Sequence, residues 1–521
     1  MTARPLPGET GFGPPDRDRA LSLLLVALGV ALFLAAQLSN LSGEFVNNDV
    51  AGIAYEADTL LRGDLPYRDT IQHKPPASFF VFAAVFGLVG RDLHAVQLVL
   101  TAWLLFGAAG VFRAARVLWG SRLGSATAAF LYLLYAGFFE LNYSSWMAPA
   151  YVWAVAELLA GLKTGSPRHN LAAGAWATLA FLFKQPGIVL GPLALSLWAL
   201  SRRKQEPGAT AATLAQWVGG AVAGALPIVL FYAARGALGD LVRGVLAIGE
   251  YQTHLSQVTT KAPGLADLAS LVLLQLVRLF PVAVWLASLT LAGALWLAAR
   301  RRPVAPLLPV LLFLFWSLLG GAMSGYRFYR HYAIQYLPAL ALLGAHPDGP
   351  FRLMRNGRSR SAGRALAAVS ALLAVHHVYK LAAHPGVVYD RRPPLLSDGS
   401  TPARRAGEHI RARTTPEDTV YVWGWLAWPV YFWSDRRAPL PSYRELGTVT
   451  TVNSNTHWSH SEPFRFVPGK AAEDLVRAFR ERRPAYFVYS PYYILESGGG
   501  PEPLRDFSAL LEIATICAVA R

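Results

Sequence analysis

Long apolar runs alternate with short clusters of basic residues along most of this chain. A helix needs about 20 apolar residues to cross the hydrocarbon core of a bilayer, and the first run, 20–41, meets that length. Because 54% of the 521 residues are hydrophobic and 15% are charged, one aqueous core cannot bury all of these runs. We therefore predict an α-helical polytopic membrane protein with about 11 transmembrane helices. The predicted spans are 20–41, 94–112, 123–139, 147–162, 171–183, 187–201, 213–234, 279–299, 306–322, 332–345 and 365–382.

The basic clusters also predict an orientation. Cytoplasmic loops carry the excess of lysine and arginine, and the clusters recur at every second turn, beginning with Arg17 and Arg19. The amino terminus is therefore predicted to be cytoplasmic and the carboxyl-terminal segment to lie outside. Topology explains the net charge of +16 without a nucleic-acid partner. Arginine greatly outnumbers lysine, which favours a GC-rich bacterial genome and hence the bacterial cytoplasmic (inner) membrane.

The segment 76–90 is apolar but has only about three-quarters of a spanning length. If it crossed the bilayer, the cluster of Arg113 and Arg116 would face outwards, and the predicted orientation of every later span would invert. We interpret the segment as an interfacial or re-entrant helix. With this interpretation, residues 42–93 form one external loop.

That external loop places ionisable residues among apolar ones. It contains the sequence FVNNDVAGIAYEADTLLRGDLPYRDTIQHKPPA, in which Asp49, Asp58, Asp69 and Lys74 stand close to the end of the first span. Ionisable groups at a membrane are costly and often mark functional sites. This loop is therefore the first candidate for chemistry at the membrane surface.

Three elements of the loop, taken in order, resemble a known family. Asp49 follows the first span, a Gly-x-x-Pro-Tyr turn covers Gly63 to Tyr67, and Lys74 begins a Lys-Pro-Pro sequence. This order resembles the first external loop of the GT-C glycosyltransferases, in the superfamily of dolichyl-phosphate-mannose mannosyltransferases and aminoarabinose transferases (glycosyltransferase family 39-like). Val50 stands where that family usually has the glutamate of an Asp-Glu pair.

The resemblance implies a membrane enzyme that moves a sugar from a polyprenyl-phosphate donor to an acceptor hydroxyl on the outer face, with inversion. The hydroxyl needs a general base, and Asp49 is the predicted catalytic residue. The departing phosphate needs cations or amide donors. The predicted donor-phosphate ligands are Lys74, Lys184, Arg327 and Arg330. The predicted acceptor or sugar contacts are Asp58, Tyr67, Asp69, His73, Glu140, Asn142, Tyr329 and His331.

Each of these residues also has a structural interpretation. Arginines at the end of a span, such as Arg327 and Arg330, are common interfacial anchors. In the structural interpretation, Lys184 is an ordinary loop cation, and Asp49 is a solvated or helix-capping acid. A polytopic transporter or flippase of lipid-linked sugars and a polysaccharide ligase are alternative functions, although the loop motif favours the glycosyltransferase. The acceptor is left open among a glycan, a lipid and a protein.

The sequence assigns no cofactor. Walker A, dinucleotide-binding and nucleophile-elbow motifs do not occur in their required context, which fits a lipid-linked donor that needs no nucleotide pocket. The histidines and the one cysteine lack the spacing of zinc ligands. Carboxylates from Asp49 and Glu140 would suit magnesium or manganese, but two separated carboxylates are a weak signature. A divalent metal is therefore the less favoured alternative.

Residues 384–521 differ from the apolar part, 1–383. They are rich in proline and charge and have no apolar run long enough to span. We predict a small extracytoplasmic α/β domain that positions the acceptor or covers the cleft. Its aromatic residues around Trp428 either stack on sugars or pack as a core. The predicted elements are strands at 419–424, 485–489 and 511–520 and a helix at 471–482.

Overall fold

The computed structural model describes most of the chain, and the described part is mainly helical. The described residues are 15–38, 40–41, 43–45, 48–201, 207–246, 264–300, 306–322, 330–347, parts of 365–379, 401–423, 427–441 and 469–489. Their α-helices are Pro15–Leu38, Asn48–Leu61, Ala77–Val89, Leu93–Trp119, Arg122–Ala136, Tyr143–Thr164, Pro167–Phe183, Leu190–Ser201, Pro207–Ala234, Leu238–Leu246, Leu265–Leu279, Pro281–Ala299, Leu308–Ala322, Leu337–Gly344, Pro402–Arg411, Ala427–Ser434 and Lys470–Arg482. The 3₁₀ turns are Gln185–Val189 and Arg330–Gln335, and the strands are Val420–Trp423 and Tyr486–Tyr489.

The first ten predicted spans all overlap helical segments. Within the described ranges, four helices are long and apolar enough to cross a membrane by length and composition. They are Asp18–Leu38, Leu93–Trp119, Ala211–Ala234 and Pro281–Ala299. The eleventh predicted span, 365–382, falls in a stretch that is described only in part, so the total of about 11 remains a prediction.

Glycines allow two of the central helices to pack closely. Pro167–Phe183 lies against Pro207–Ala234, with Gly174 on the first helix and Gly220 on the second. A Cβ atom on either glycine would lie 1.9 Å from a backbone carbonyl oxygen of the other helix. Small residues at such positions let two backbones approach in a membrane bundle. A larger side chain at either position would push the helices apart.

The external loop folds into two helices. Asn48–Leu61 carries Asp49 in its first turn and buries most of its residues; it is absent from the sequence prediction, although apolar residues at 50, 53, 54 and 57 have helical spacing. Ala77–Val89 ends at Gly90, which has a φ of 83° that favours glycine. The second helix agrees with the one predicted at 76–90, and its interfacial or re-entrant placement remains a prediction.

Residues 401–423, 427–441 and 469–489 form the carboxyl-terminal unit, which contains α-helices and a two-stranded sheet. Val420–Trp423 and Tyr486–Tyr489 pair in parallel, close to the strands predicted at 419–424 and 485–489. The helix Lys470–Arg482 coincides with the predicted helix. The strand predicted at 511–520 lies outside the described residues.

Aromatic side chains of this unit pack onto the external-loop helix. The Trp428 ring lies directly over Gly52, where a Cβ atom would approach the ring to 3.0 Å. The rings of Tyr431 and Tyr55 are 5.3 Å apart, and both side chains are buried. These contacts agree with the packed-core interpretation of the aromatic residues. The carboxyl-terminal unit therefore rests on the same helix that carries Asp49.

Arg91 connects the external loop to the carboxyl-terminal unit. Its guanidinium lies 2.5 Å from a carboxylate oxygen of the buried Asp58 and 3.2 Å from one of Asp435. It also donates a hydrogen bond to the carbonyl of Phe432 and stacks on that ring at 4.1 Å. Burial raises the pKa of Asp58 to about 6, and the opposing charge of Arg91 limits that rise.

Replacing Arg91 by methionine should destabilise the protein by about 3 kcal/mol, because the buried Asp58 carboxylate loses its nearest cation. An acid whose pKa is raised by folding costs stability as the pH rises through that pKa. The loss of stability in Arg91→Met should therefore be large near pH 7 and smaller near pH 5, where the Asp58 carboxyl group is protonated. Thermal unfolding in detergent at the two pH values measures both effects.

The double variant Arg91→Met, Asp58→Asn is the matched control. It removes both charges together and should recover most of the lost stability. Equal melting temperatures for Arg91→Met and the wild type would show that this ion pair does not hold the two parts together.

Candidate active site

Asp49 lies where three distant segments meet. Its Oδ2 accepts a hydrogen bond of 3.2 Å from the Asn142 side-chain amide and lies 4.0 Å from Nε2 of His331. The carboxylate-bearing side chain is 32% exposed, so a substrate hydroxyl can reach it. Asp49 is therefore both oriented by the fold and open to one side.

Asn142 owes its orientation to the helix that it caps. Its Oδ1 accepts a hydrogen bond of 3.1 Å from the backbone N–H of Ser144, at the start of Tyr143–Thr164. This is the usual role of an asparagine before the first helical turn. Because the oxygen is used for the cap, the amide nitrogen faces Asp49 and donates to it.

Lys184 is a buried cation beside this cap. Its ammonium group donates a 2.7 Å hydrogen bond to the Ser144 hydroxyl and lies 3.5 Å from the centroid of the Tyr332 ring. The side chain follows the helix Pro167–Phe183 and is 4% exposed. Burial lowers the pKa of Lys184 well below its usual value; nearby Lys74 also lowers it, whereas Asp49 raises it.

Lys74 approaches the same helix end from the Lys-Pro-Pro segment. Its ammonium group lies 6.0 Å from the centroid of the Tyr143 ring. Its backbone carbonyl accepts a 2.5 Å hydrogen bond from the Tyr67 hydroxyl, and the preceding carbonyl, of His73, accepts one from the Gln185 side chain. The segment that carries Lys74 is thus tied to the turn that follows Lys184.

His331 adds a neutral imidazole to the site. Burial, together with the charge of Lys184, lowers its pKa to about 3, while Asp49 acts in the opposite direction. The ring stands edge-on to Tyr332 at 4.6 Å. An uncharged ring next to Asp49 leaves the carboxylate free to gain a proton from a substrate.

The charges of the site fall into two parts. Lys74 and Lys184 flank the amino-terminal end of the helix Tyr143–Thr164, where the helix dipole also favours an anion. Asp49 is hydrogen-bonded to Asn142, the residue that precedes this helix. An anion-binding site beside a carboxylate suits the departure of a phosphate and the deprotonation of a hydroxyl.

Five of the predicted site residues come together in this arrangement. They are Asp49, Lys74, Asn142, Lys184 and His331.

Two further predicted residues lie beside that group. Glu140 is buried, and its carbonyl accepts a 2.7 Å hydrogen bond from the Asn142 backbone. Arg330 begins the 3₁₀ turn that contains His331. Arg327 and Tyr329 fall outside the described residues.

Other predicted contacts are engaged elsewhere in the loop. Asp58 pairs with Arg91. Asp69 accepts hydrogen bonds from the Arg68 guanidinium and from the backbone N–H of Leu65, which fixes the turn before the Lys-Pro-Pro segment. In the structure these two carboxylates have architectural roles.

Sequence reasoning gave no role to several polar residues that complete the site. Ser144 accepts from Lys184, and the Tyr332 ring covers the same ammonium group. Gln72 and Gln185 hold the backbone around Lys74. The Asn-Tyr-Ser-Ser sequence at 142–145 was the available signal, since asparagine before an apolar run marks a helix start.

Within the described ranges, no group of three or more His, Cys, Asp or Glu side chains is placed to hold a metal ion.

Comparison with known proteins agrees with this architecture. Residues 73–232 match the family described as dolichyl-phosphate-mannose-protein mannosyltransferase. The crystal structure of ArnT from Cupriavidus metallidurans bound to undecaprenyl phosphate superposes with a TM-score of 0.59 at 18% identity, over 91% of this chain and 94% of that one. This chain therefore shares the fold of that structure.

Two further solved structures are similar to this chain. ArnT from the same organism in the apo state gives a TM-score of 0.57 at 18% identity, over 92% of this chain and 94% of that one. Archaeal oligosaccharyltransferase AglB from Archaeoglobus fulgidus, in complex with an inhibitory peptide and a dolichol-phosphate, gives a TM-score of 0.49 at 14% identity, over 81% of this chain and 64% of that one. No curated protein matches this chain in sequence.

Proposed function

We propose that this protein is a glycosyltransferase of the bacterial cytoplasmic membrane. It takes a sugar from a polyprenyl-phosphate donor and transfers it, with inversion, to an acceptor hydroxyl on the outer face. One observation carries the proposal: the Asp49 carboxylate and the ammonium groups of Lys74 and Lys184 meet at the amino-terminal end of one helix. The family match over 73–232 supports the same chemistry.

The two lysines bind the phosphate of the donor in this proposal. As the bond between the anomeric carbon and the phosphate oxygen breaks, negative charge grows on the phosphate and is stabilised by Lys74 and Lys184. Lys184 is 4% exposed, and a cation acts more strongly where water is excluded. Arg330 joins this group, and Arg327 is the further ligand expected from the sequence.

Asp49 acts on the acceptor. It removes the hydroxyl proton while the hydroxyl oxygen forms its bond to the anomeric carbon, so the proton ends on the carboxylate. The electron pair of the broken bond between the anomeric carbon and the phosphate oxygen ends on the phosphate. The Asn142 amide holds one oxygen of the carboxylate at 3.2 Å. A base and a phosphate site on different sides of the sugar suit a single displacement, which inverts the anomeric carbon.

The proposed sugar or acceptor contacts are Asn142 and His331, which contact Asp49. Glu140 is a further proposed contact, because its carbonyl accepts from the Asn142 backbone. Asp58 follows Asp49 by nine residues on one helix, about 13 Å along its axis, and its ion pair with Arg91 makes it a poor sugar ligand.

Transfer assays test the proposal directly. Membranes with and without the protein are given undecaprenyl phosphate that carries different labelled sugars, together with extracts of glycans, lipids and proteins as acceptors. We expect transfer from one donor class, and the anomeric configuration of the product reports inversion. Movement of the lipid-linked sugar across the bilayer with no transfer would instead indicate a flippase and contradict the proposal.

A further inference from the structure

Glu56 is a fully buried carboxylate that the site described above does not use. Its exposure is 0%, and it lies on Asn48–Leu61, the helix that begins beside Asp49. Seven residues are almost two helical turns, so Asp49 and Glu56 share one face of the helix about 10 Å apart. Burying an acid is costly unless it has hydrogen-bond partners, so its contacts define its role.

The contacts of Glu56 lead to the Lys-Pro-Pro segment. One carboxylate oxygen accepts a 2.7 Å hydrogen bond from the Thr70 hydroxyl, and the other accepts a 3.4 Å bond from the Gln72 side-chain amide. The oxygen of that same amide accepts hydrogen bonds from the backbone N–H groups of His73, at 2.9 Å, and of Lys74, at 3.1 Å. Thr70 and Gln72 are both buried.

The chemistry of these groups fixes the direction of the chain of hydrogen bonds. The backbone N–H groups of His73 and Lys74 only donate, so the Gln72 amide must turn its oxygen towards them and its NH₂ towards the Glu56 carboxyl group. Glu56 thereby holds the amide whose oxygen accepts from the backbone of Lys74.

We propose that Glu56 is a positioning residue for Lys74, an inference that rests on the proposed function. One rigid helix carries the base Asp49 at its start and, two turns later, the acid that sets the lysine of the phosphate site. The spacing between the proton acceptor and the phosphate cation is therefore fixed by a single element. Loss of Glu56 would leave Lys74 present but misplaced.

Binding of sugar-free undecaprenyl phosphate to purified protein in detergent tests this inference, with undecaprenol as the lipid that lacks the phosphate. Glu56→Ala should weaken undecaprenyl phosphate binding about tenfold, the scale of one hydrogen bond lost from a buried partner, and leave undecaprenol binding unchanged. Glu56→Gln retains an acceptor for Gln72 and should restore most of the affinity. Gln72→Met, which breaks the same connection at similar volume, should match Glu56→Ala and serves if that variant does not fold.

A double-mutant cycle separates positioning from a general structural role. In a Lys74→Ala background, Glu56→Ala should change the affinity by less than about twofold, because the group that it positions is gone. The control is Glu157→Gln. Glu157 is a buried acid paired with Arg113 and His169, about 22 Å along its helix from Asn142, and its loss should leave phosphate binding at the wild-type value.

The outcomes are distinguishable. Wild-type affinity in both Glu56→Ala and Gln72→Met, or full additivity with Lys74→Ala, would overturn the positioning role and leave the proposed function standing. If the wild-type protein binds undecaprenol as well as it binds undecaprenyl phosphate, the proposed phosphate site is wrong, and the inference falls with it.

Discussion

Replacing Asp49 by asparagine should slow sugar transfer about 10²- to 10⁴-fold, because the acceptor hydroxyl loses its general base. Asparagine has nearly the same shape and remains next to Asn142, so binding of the donor phosphate should change little. The measurement is the initial rate of transfer at saturating donor, together with the donor KM. We expect a loss in kcat with a nearly constant donor KM.

Asp64→Asn is the matched control for this experiment. Asp64 lies in the same external loop and pairs with Arg437 at 2.9 Å, at a position that is partly exposed. An exposed pair contributes about 0–1 kcal/mol, so this variant should transfer sugar at close to the wild-type rate. A wild-type kcat for Asp49→Asn would exclude Asp49 as the base.

Replacing Lys184 by methionine should weaken donor phosphate binding and stabilise the protein at the same time. The loss of a buried cation from the phosphate site should lower affinity for undecaprenyl phosphate by about 100-fold, which corresponds to about 3 kcal/mol for a charged hydrogen bond. Methionine has a similar length and removes a charge that the folded protein must bury. We expect the free energy of unfolding to rise by about 1–2 kcal/mol near neutral pH.

The pH dependence of stability identifies the cause. Burial lowers the pKa of Lys184, so the folded state binds this proton less tightly than the unfolded chain does. The contribution of Lys184 to stability is therefore complete above the unfolded pKa and is lost as the pH falls through the lowered folded value. Raising the pH towards the pKa of an unfolded lysine should narrow the difference in the free energy of unfolding between the wild type and Lys184→Met. Melting temperatures of both proteins in detergent, at a series of alkaline pH values, measure this difference.

Lys163→Met controls for the loss of one lysine. Its ammonium group donates to the Val117 carbonyl at an exposed position, away from the site. Neither the affinity for undecaprenyl phosphate nor the pH dependence of stability should change appreciably in this variant. Lower stability of Lys184→Met at neutral pH, together with unchanged phosphate affinity, would show that Lys184 is a structural cation.

Local patterns in the sequence predicted a large part of this protein. Apolar runs predicted segments that overlap helices, because a span of about 20 apolar residues is a local property. Strands around Val422 and Val488 followed from short β-branched and aromatic runs. Asp49 and Lys74 stood out because both belong to one continuous loop with a recognisable order.

Assigning roles to residues needed the tertiary structure. The sequence predicted Asp58 and Asp69 as sugar or acceptor contacts, yet their carboxylates pair with Arg91 and Arg68. Of these three carboxylates, Asp49 is oriented towards an open site, and the other two stabilise the architecture of the loop. Charge type and position in a motif do not distinguish these roles, because the partners come from elsewhere in the fold.

The sequence by itself determined the membrane architecture and the identity of the motif in the external loop, since hydrophobic length and motif order are read along the chain. The tertiary structure alone decided that Asn142, Lys184 and His331 meet at Asp49, and that Glu56 connects to the backbone of Lys74 through Gln72. The physical reason is that hydrogen bonds and burial depend on distances between side chains, and helices far apart in sequence set those distances only when they pack.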